Sequence, residues 1–128
     1  MRLRLTRQAD ADIENILRET LLSFGAGQVR AYASLIGRGL DMIAEDPMRP
    51  SSRERPDIAA GIRSFHLGLA AGRSAAAAHH LYYKTMTDGE AGQDIVVLRI
   101  LHERMEPKRR VLKSIGPNDT MKKGREGR

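Results

Sequence analysis

The residues best suited to chemistry fall between positions 95 and 110. The run Ile95-Val96-Val97-Leu98 gives way to Arg99, His102 and Arg104, and then to the consecutive cations Lys108, Arg109 and Arg110. Guanidinium and ammonium groups hold phosphate or carboxylate, and a histidine among them can move a proton near neutral pH. Arg63 and Lys84 are upstream cations of the same kind. Together Arg63, Lys84, Arg99, His102 and Arg104 contain the ingredients of phosphodiester cleavage: charges to hold the phosphate and a group to shuttle protons. Against that reading, no tyrosine follows Tyr83, and the strand-like segments are not dense in lysine. Side-chain alternation expects Arg99 on the face opposite Val96, Leu98 and Ile100. An arginine in so apolar a run needs an internal acid, a route to solvent, or a phosphate or carboxylate ligand.

Other chemistries find no support. The sequence holds no cysteine, which removes disulfides, thiolate metal sites and cysteine nucleophiles. It has no Gly-x-Gly-x-x-Gly and no phosphate-binding loop, and Ser51 and Ser52 lack a nucleophile-elbow context. His79 and His80 are adjacent, so on a strand they point to opposite faces and do not share one ion. No carboxylate near them in sequence completes a ligand set. No metal and no cofactor are expected.

These residues must be positioned by elements that the hydrophobic pattern reveals. Arg2 to Thr6 alternates charged and apolar residues as a short strand, with Thr6 able to cap the next helix. Ala9, Ile13, Ile16/Leu17, Thr20/Leu21 and Phe24 form one helical stripe, ended by Gly25. Asp10, Asp12 and Glu14 sit in its first turns, where the helix dipole favours acids. A second helix is expected from about Gly27 to Glu45, with the stripe Val29, Tyr32/Ala33, Ile36, Leu40 and Ile43. Gly37 and Gly39 inside it each cost up to ~1 kcal/mol of propensity, which close helix packing would explain. Asp46-Pro47 stops the helix. Residues 47–61 read as a linker.

Three strands are then expected. Ile62–Leu69 sets Phe65, Leu67 and Leu69 on one face, and His79–Met86 and Asp94–Leu101 follow, the last buried on both sides. Residues 68–78 read as a flexible excursion, and Thr87-Asp88-Gly89 with Gly92 as a hairpin turn. The order strand, helix, helix, strand, strand, strand predicts an α+β fold: a helical hairpin packed on a small, mainly antiparallel sheet. Residues 1–113 are expected to form the domain, and 114–128 a basic disordered tail.

Charge is polarised along the chain. Residues 1–98 carry 12 Lys/Arg and 12 Asp/Glu, whereas residues 99–128 carry 10 and 4, so the whole excess of +6 lies at the end. That suggests an acidic partner or a solvated basic terminus. The aromatics are only Phe24, Phe65, Tyr32, Tyr82 and Tyr83, too few for a base-stacking platform. Nucleic-acid binding is therefore expected to be non-specific. No apolar run is long enough to span a membrane. The absence of cysteine and of a signal-peptide core fits a cytoplasmic protein.

Five phrases, in order, carry a resemblance covering about residues 3–112. Ala9-Asp10-Ala11-Asp12-Ile13-Glu14-Asn15-Ile16 is similar to an "A-x-x-D-L-x-x-I" opening. Phe24-Gly25, Ala31-Tyr32, Leu40, Ile43-Ala44 and Pro47 follow a helical hairpin. Gly61-Ile62-Arg63-Ser64-Phe65 resembles "G-x-R-S/T-F", and His80-Leu81-Tyr82-Tyr83 resembles "h-x-I-x-Y-R". Arg99-Ile100-Leu101-His102-Glu103-Arg104-Met105 resembles "R-I/V-L-H-x-R-M-D", with Glu106 where aspartate is usual. The sequence thus resembles the RelE/ParE toxin superfamily, nearer its ParE branch.

The resemblance implies a compact toxin neutralised by a cognate antitoxin, a ParD-like ribbon-helix-helix protein. In the ParE branch it implies a non-enzymatic inhibitor of DNA gyrase. The RelE branch instead implies a ribosome-dependent mRNA endoribonuclease, for which Arg63, Lys84, Arg99, His102 and Arg104 would be the site. Antitoxin contact is expected at Ile16, Leu17, Leu21 and Leu22, because the helix stripe is broader than a chain this small covers. Target contact is expected at Lys108, Arg109 and Arg110. The excursion at 68–78, with Arg73, and the tail beyond Leu112 depart from the family pattern.

Overall fold

The computed structural model describes residues 2–72, 77–87 and 93–115. Its elements are β1 (Arg2–Leu5), α1 (Arg7–Phe24), α2 (Ala26–Glu45), β2 (Arg53–Glu54), β3 (Arg63–His66), a 3-10 helix (Leu67–Ala71), β4 (His79–Thr87), β5 (Gln93–His102) and α3 (Pro107–Lys113). The strands form one mixed sheet in the order β1-β5-β4-β3-β2. Only the β1–β5 pair is parallel, so the expected α+β hairpin-on-sheet architecture holds.

The start of the chain is fixed by local chemistry. Thr6 caps α1, its hydroxyl accepting from the Ala9 N–H at 3.0 Å. The same hydroxyl donates to the Leu98 carbonyl at 2.7 Å, tying the cap to β5. β1 pairs with β5 only from Arg2–Asp94 to Leu5–Val97. Beyond that point Asp12 of α1 takes over the bare edge of β5, accepting from the Ile100 N–H at 2.9 Å. Gly25, at φ +91°, closes α1 and opens α2 in one residue, a conformation that disfavours any side chain.

Both faces of the sheet are covered. On one, the helical hairpin packs over Leu5, Phe65, Leu81, Tyr83, Ile95, Val97 and Ile100. On the other, Ile58, Ile62 and Val111 cover Tyr82, Val96, Leu98 and Leu101. Gly39 explains itself here: an added Cβ would stand 2.6 Å from the Leu67 Cδ1. Gly37 meets nothing within 4 Å, so the close-packing explanation fails for it.

The structure corrects several expectations. Position 66 ends β3, and the chain turns into a 3-10 helix that buries Leu67 but leaves Leu69 exposed. The His66 ring enforces this turn, its Nδ1 accepting from the Gly68 N–H at 3.0 Å. Residues 68–71 therefore belong to a helix and not to a flexible excursion. The linker 47–61 contains the edge strand β2. Val96, Leu98 and Ile100 do not share a face. A bulge at Leu98, between the pairs Tyr82–Arg99 and Tyr83–Val97, shifts the alternation by one. Ile100 then joins Ile95 and Val97 under the helices. The chain also forms α3 where no element was expected, and Ser114 is buried beyond it. Thr87, expected in the hairpin turn, is the last residue of β4, and the rest of that turn at 88–92, residues 73–76 of the excursion with Arg73, and the tail from 116 onwards lie outside the described residues.

Two measurements check this account. Asp12→Ala removes a bidentate partner of Arg99 and the acceptor for the Ile100 amide, and should cost about 2–4 kcal/mol in urea unfolding. A loss below about 0.5 kcal/mol, the range of an ordinary surface substitution, would refute the role given to Asp12. Gly37→Ala should stabilise by about 0.5–1 kcal/mol through helix propensity, whereas Gly39→Ala should destabilise by about 1 kcal/mol through overpacking against Leu67.

Candidate functional site

Two concave surfaces flank β5 on opposite sides of the sheet. The first is a groove of about 670 Å³ between the helical hairpin and the ends of β4 and β5. Ile16, Phe24, Ala31, Leu35, Ala77 and Ala78 give its walls apolar groups, Glu19, Thr20, Ser23 and Gln28 add polar ones along the two helices, and Tyr32, His79, His102 and Glu103 form a polar end. Phe24 is 71% exposed at its mouth, and Leu22, 79% exposed, stands nearby on the same last turn of α1. With Leu21, also exposed, they leave the end of α1 with bare apolar side chains.

The polar end is organised around the Tyr32 hydroxyl, 2.6 Å from the Nδ1 of His79. Burial raises the Tyr32 pKa, so the hydroxyl keeps its proton. Burial, helped by nearby His102, lowers the His79 pKa to about 4. At neutral pH this is an uncharged hydrogen-bonded pair, with the His102 ring edge-on to His79 at 5.3 Å. The arrangement presents hydrogen-bonding groups in the groove without a buried cation.

The second surface is a cleft of about 410 Å³ lined by Arg99, Glu106, Arg109, Arg110 and Lys113. Arg99 is its fixed member. Its Nε and Nη2 donate to the two oxygens of Asp12 at 2.8 and 2.9 Å. The internal acid left open by the sequence is thus found, and Arg99 was not waiting for a ligand to satisfy it. The other cations come from α3, which starts at Glu106-Pro107. The Glu106 carboxylate accepts from the Lys108 and Arg109 N–H groups, and Pro107 occupies the first turn, where a missing N–H does no harm. With Glu106 engaged as a cap, the cleft presents mainly positive charge.

The five residues of the hydrolytic alternative do not converge. Arg63 is turned to Ser52, donating to its hydroxyl at 3.0 and 2.7 Å. Arg99 belongs to the cationic cleft and His102 to the groove. Arg104 is exposed, and its N–H donates to His102 Nδ1 at 3.0 Å. Lys84 is half-buried on β4, opposite Val96. Of the four expected antitoxin contacts, Ile16 lines the groove but is buried, and Leu17 packs against the core. Leu21 and Leu22 are exposed. Lys108, Arg109 and Arg110 are all exposed on α3, with Arg109 and Arg110 lining the cleft.

Sequence reasoning missed the Tyr32–His79 pair, which spans 47 positions and has no local signature. It also missed α3, although Glu106-Pro107 before Val111 and Leu112 is a readable helix start.

A model of the family described as the ParE toxin of the type II toxin–antitoxin system parDE matches residues 3–107. A curated relative from Escherichia coli, "Toxin ParE", is 32% identical over 104 residues, covering 80% of this chain and 84% of its own. A solved structure titled "Chromosomal ParDE TA system from P. aeruginosa" superposes with a TM-score of 0.62 at 20% identity, covering 80% of this chain and 95% of that one. The structural likeness speaks to the fold. The sequence matches, spanning the hairpin, the sheet and the phrase that closes it, show that this chain belongs to the ParE toxin family of type II toxin–antitoxin systems.

Proposed function

We propose that this toxin acts by binding DNA gyrase and not by cutting RNA, and that a ribbon-helix-helix antitoxin neutralises it by laying an amphipathic helix in the groove beside Phe24. The observation that carries the antitoxin contact is the groove itself. It has apolar groups in its walls, an exposed aromatic at its mouth and a polar end suited to hydrogen bonds. Leu21 and Leu22 extend the apolar surface, while Ile16 and Leu17 act from beneath by holding α1 against the core. Target contact is assigned to Lys108, Arg109 and Arg110, held on a short helix against the rigid sheet.

A binding function also suits the arrangement of the charged groups. Arg63 and Arg99 have partners within the fold, and Arg99 and His102 line different concave surfaces. Catalysis would need them within reach of one phosphate.

Phe24→Asp should weaken binding of the antitoxin encoded beside this gene by at least about tenfold, or ~1.4 kcal/mol, in a calorimetric titration. Unchanged affinity would move the contact off the groove. Lys108, Arg109 and Arg110 changed together to Ala should abolish growth arrest and leave supercoiling by gyrase uninhibited, with the unfolding midpoint preserved. Truncation after Ile115 should spare both activities. Cleavage of mRNA on translating ribosomes, lost on Arg99→Ala or His102→Ala, would replace this reading with the endoribonuclease one.

A further inference from the structure

All four histidines of the chain gather at one end of the sheet, and they divide into two pairs. His79 and His102 belong to the groove. His66 and His80 are cross-strand partners on β3 and β4, with rings 4.6 Å apart and nearly perpendicular. Glu103 stands one residue beyond β5, fixed by its N–H donating to the Ala78 carbonyl at 2.7 Å. Its Oε1 lies 3.5 Å from His66 Nε2. One donor atom from each of His66, His80 and Glu103 lies within 4.8 Å of the others.

We propose that His66, His80 and Glu103 form a binding site for a divalent transition metal of the zinc class. Two imidazoles and a carboxylate are the donor set that zinc accepts, with a fourth position left to solvent. Zinc–ligand bonds of about 2.0–2.1 Å in a tetrahedron need donors about 3.3 Å apart. The His66–Glu103 separation is already close to that, and only His80 must move inward. No hydrogen bond holds its Nδ1, which is buried without a partner, so the ring gives up none at that atom in moving. The three ligands come from three adjacent strands or their ends, so the ion would clip the sheet where it borders the 3-10 helix.

Two features oppose uptake and set its limits. Arg53 and Arg55 line the adjoining cleft with His66 and His80. Arg55 is engaged bidentately by Asp57, at 3.1 and 2.9 Å, which offsets only part of its charge, so both Arg55 and Arg53 oppose a cation beside His80. The Gly68 N–H occupies His66 Nδ1, so the neutral ring carries its proton on Nε2, facing Glu103. Metal at Nε2 displaces that proton, and the ring takes one up at Nδ1, giving up the Gly68 bond. Binding is therefore coupled to release of the cap on the 3-10 helix. The site should be weaker than a preformed structural zinc centre.

The test is titration of the purified full chain with Zn²⁺ by calorimetry, and with Co²⁺ as an optical probe. One saturable equivalent is expected, weakened by at least about tenfold in each of His66→Gln, His80→Gln and Glu103→Gln. His79→Gln with His102→Gln should leave it intact. Nitrogen NMR of the unaltered chain keeps the result independent of how the variants fold. Zn²⁺ should shift the ring nitrogens of His66 and His80 and the Gly68 amide. No saturable uptake at submillimolar metal, affinity that survives His80→Gln, or shifts confined to His79 and His102 would overturn the assignment.

Discussion

The carboxylate of Asp12 is where helix, strand and cationic surface meet. β1 is four residues long and leaves the second half of the edge of β5 bare. An uncovered edge exposes backbone groups that invite pairing with another chain. Thr6 answers with its hydroxyl on the Leu98 carbonyl, and Asp12, two turns further along, answers with its carboxylate on the Ile100 N–H. Because both residues lie on or cap α1, covering the strand edge also fixes the rotation of the helix about its axis. That rotation decides which residues of α1 face the core and which, such as Phe24, face the groove. The same carboxylate holds Arg99 by two further hydrogen bonds, so the one cation of the cleft supplied by the sheet does not wander.

The bulge at Leu98 makes this geometry possible. Strict alternation through β5 would have carried Ile100 away from the helices. One extra residue restores Ile100 to the helical side and sends Leu101 to the opposite face, where Val111 of α3 packs. α3 is only two turns long, too short to be stable alone. Its position therefore depends on Val111 being buried there, on the Glu106 cap and on Pro107. The bulge thus seats the hairpin on one face and the cationic helix on the other.

Most of the architecture was legible because it rests on local signals. Thr6 before an acidic, apolar-periodic run, Gly25 and Asp46-Pro47 each announce a helix boundary in their own chemistry. The continuous run from Ile95 to Leu101 announced a strand buried on both sides. What escaped was set by contacts remote in sequence. Alternation predicts sides only until a bulge intervenes, and nothing within β5 marks Leu98 as the extra residue. The pair Arg53–Glu54 becomes a strand only because Arg63 and Ser64 lie beside it. Leu67 and Leu69 alternate correctly for a strand, yet the His66 side chain captures the Gly68 amide and turns the chain first. For the site, the residue types near the C-terminus were informative, and their partners were not. Asp12 is 87 positions from Arg99, and Glu103 meets His66 only through the fold.

The separation of the two surfaces constrains how neutralisation works under the proposed reading. The groove opens on the hairpin side of the sheet, and the cleft on the side covered by α3. A helix confined to the groove would leave Arg109, Arg110 and Lys113 exposed to the target. An antitoxin that blocks the target contact by charge must therefore continue past the end of β5 and reach α3 with acidic residues. One that stops in the groove must act sterically, by its bulk beside Glu103 and the turn that leads into α3. The link between the surfaces is short, because only Glu103, Arg104 and Met105 separate the end of β5 from the Glu106 cap of α3. A chain leaving the groove beside His102 and Glu103 meets that segment first, so the shortest path to the cations runs over it and not around the sheet.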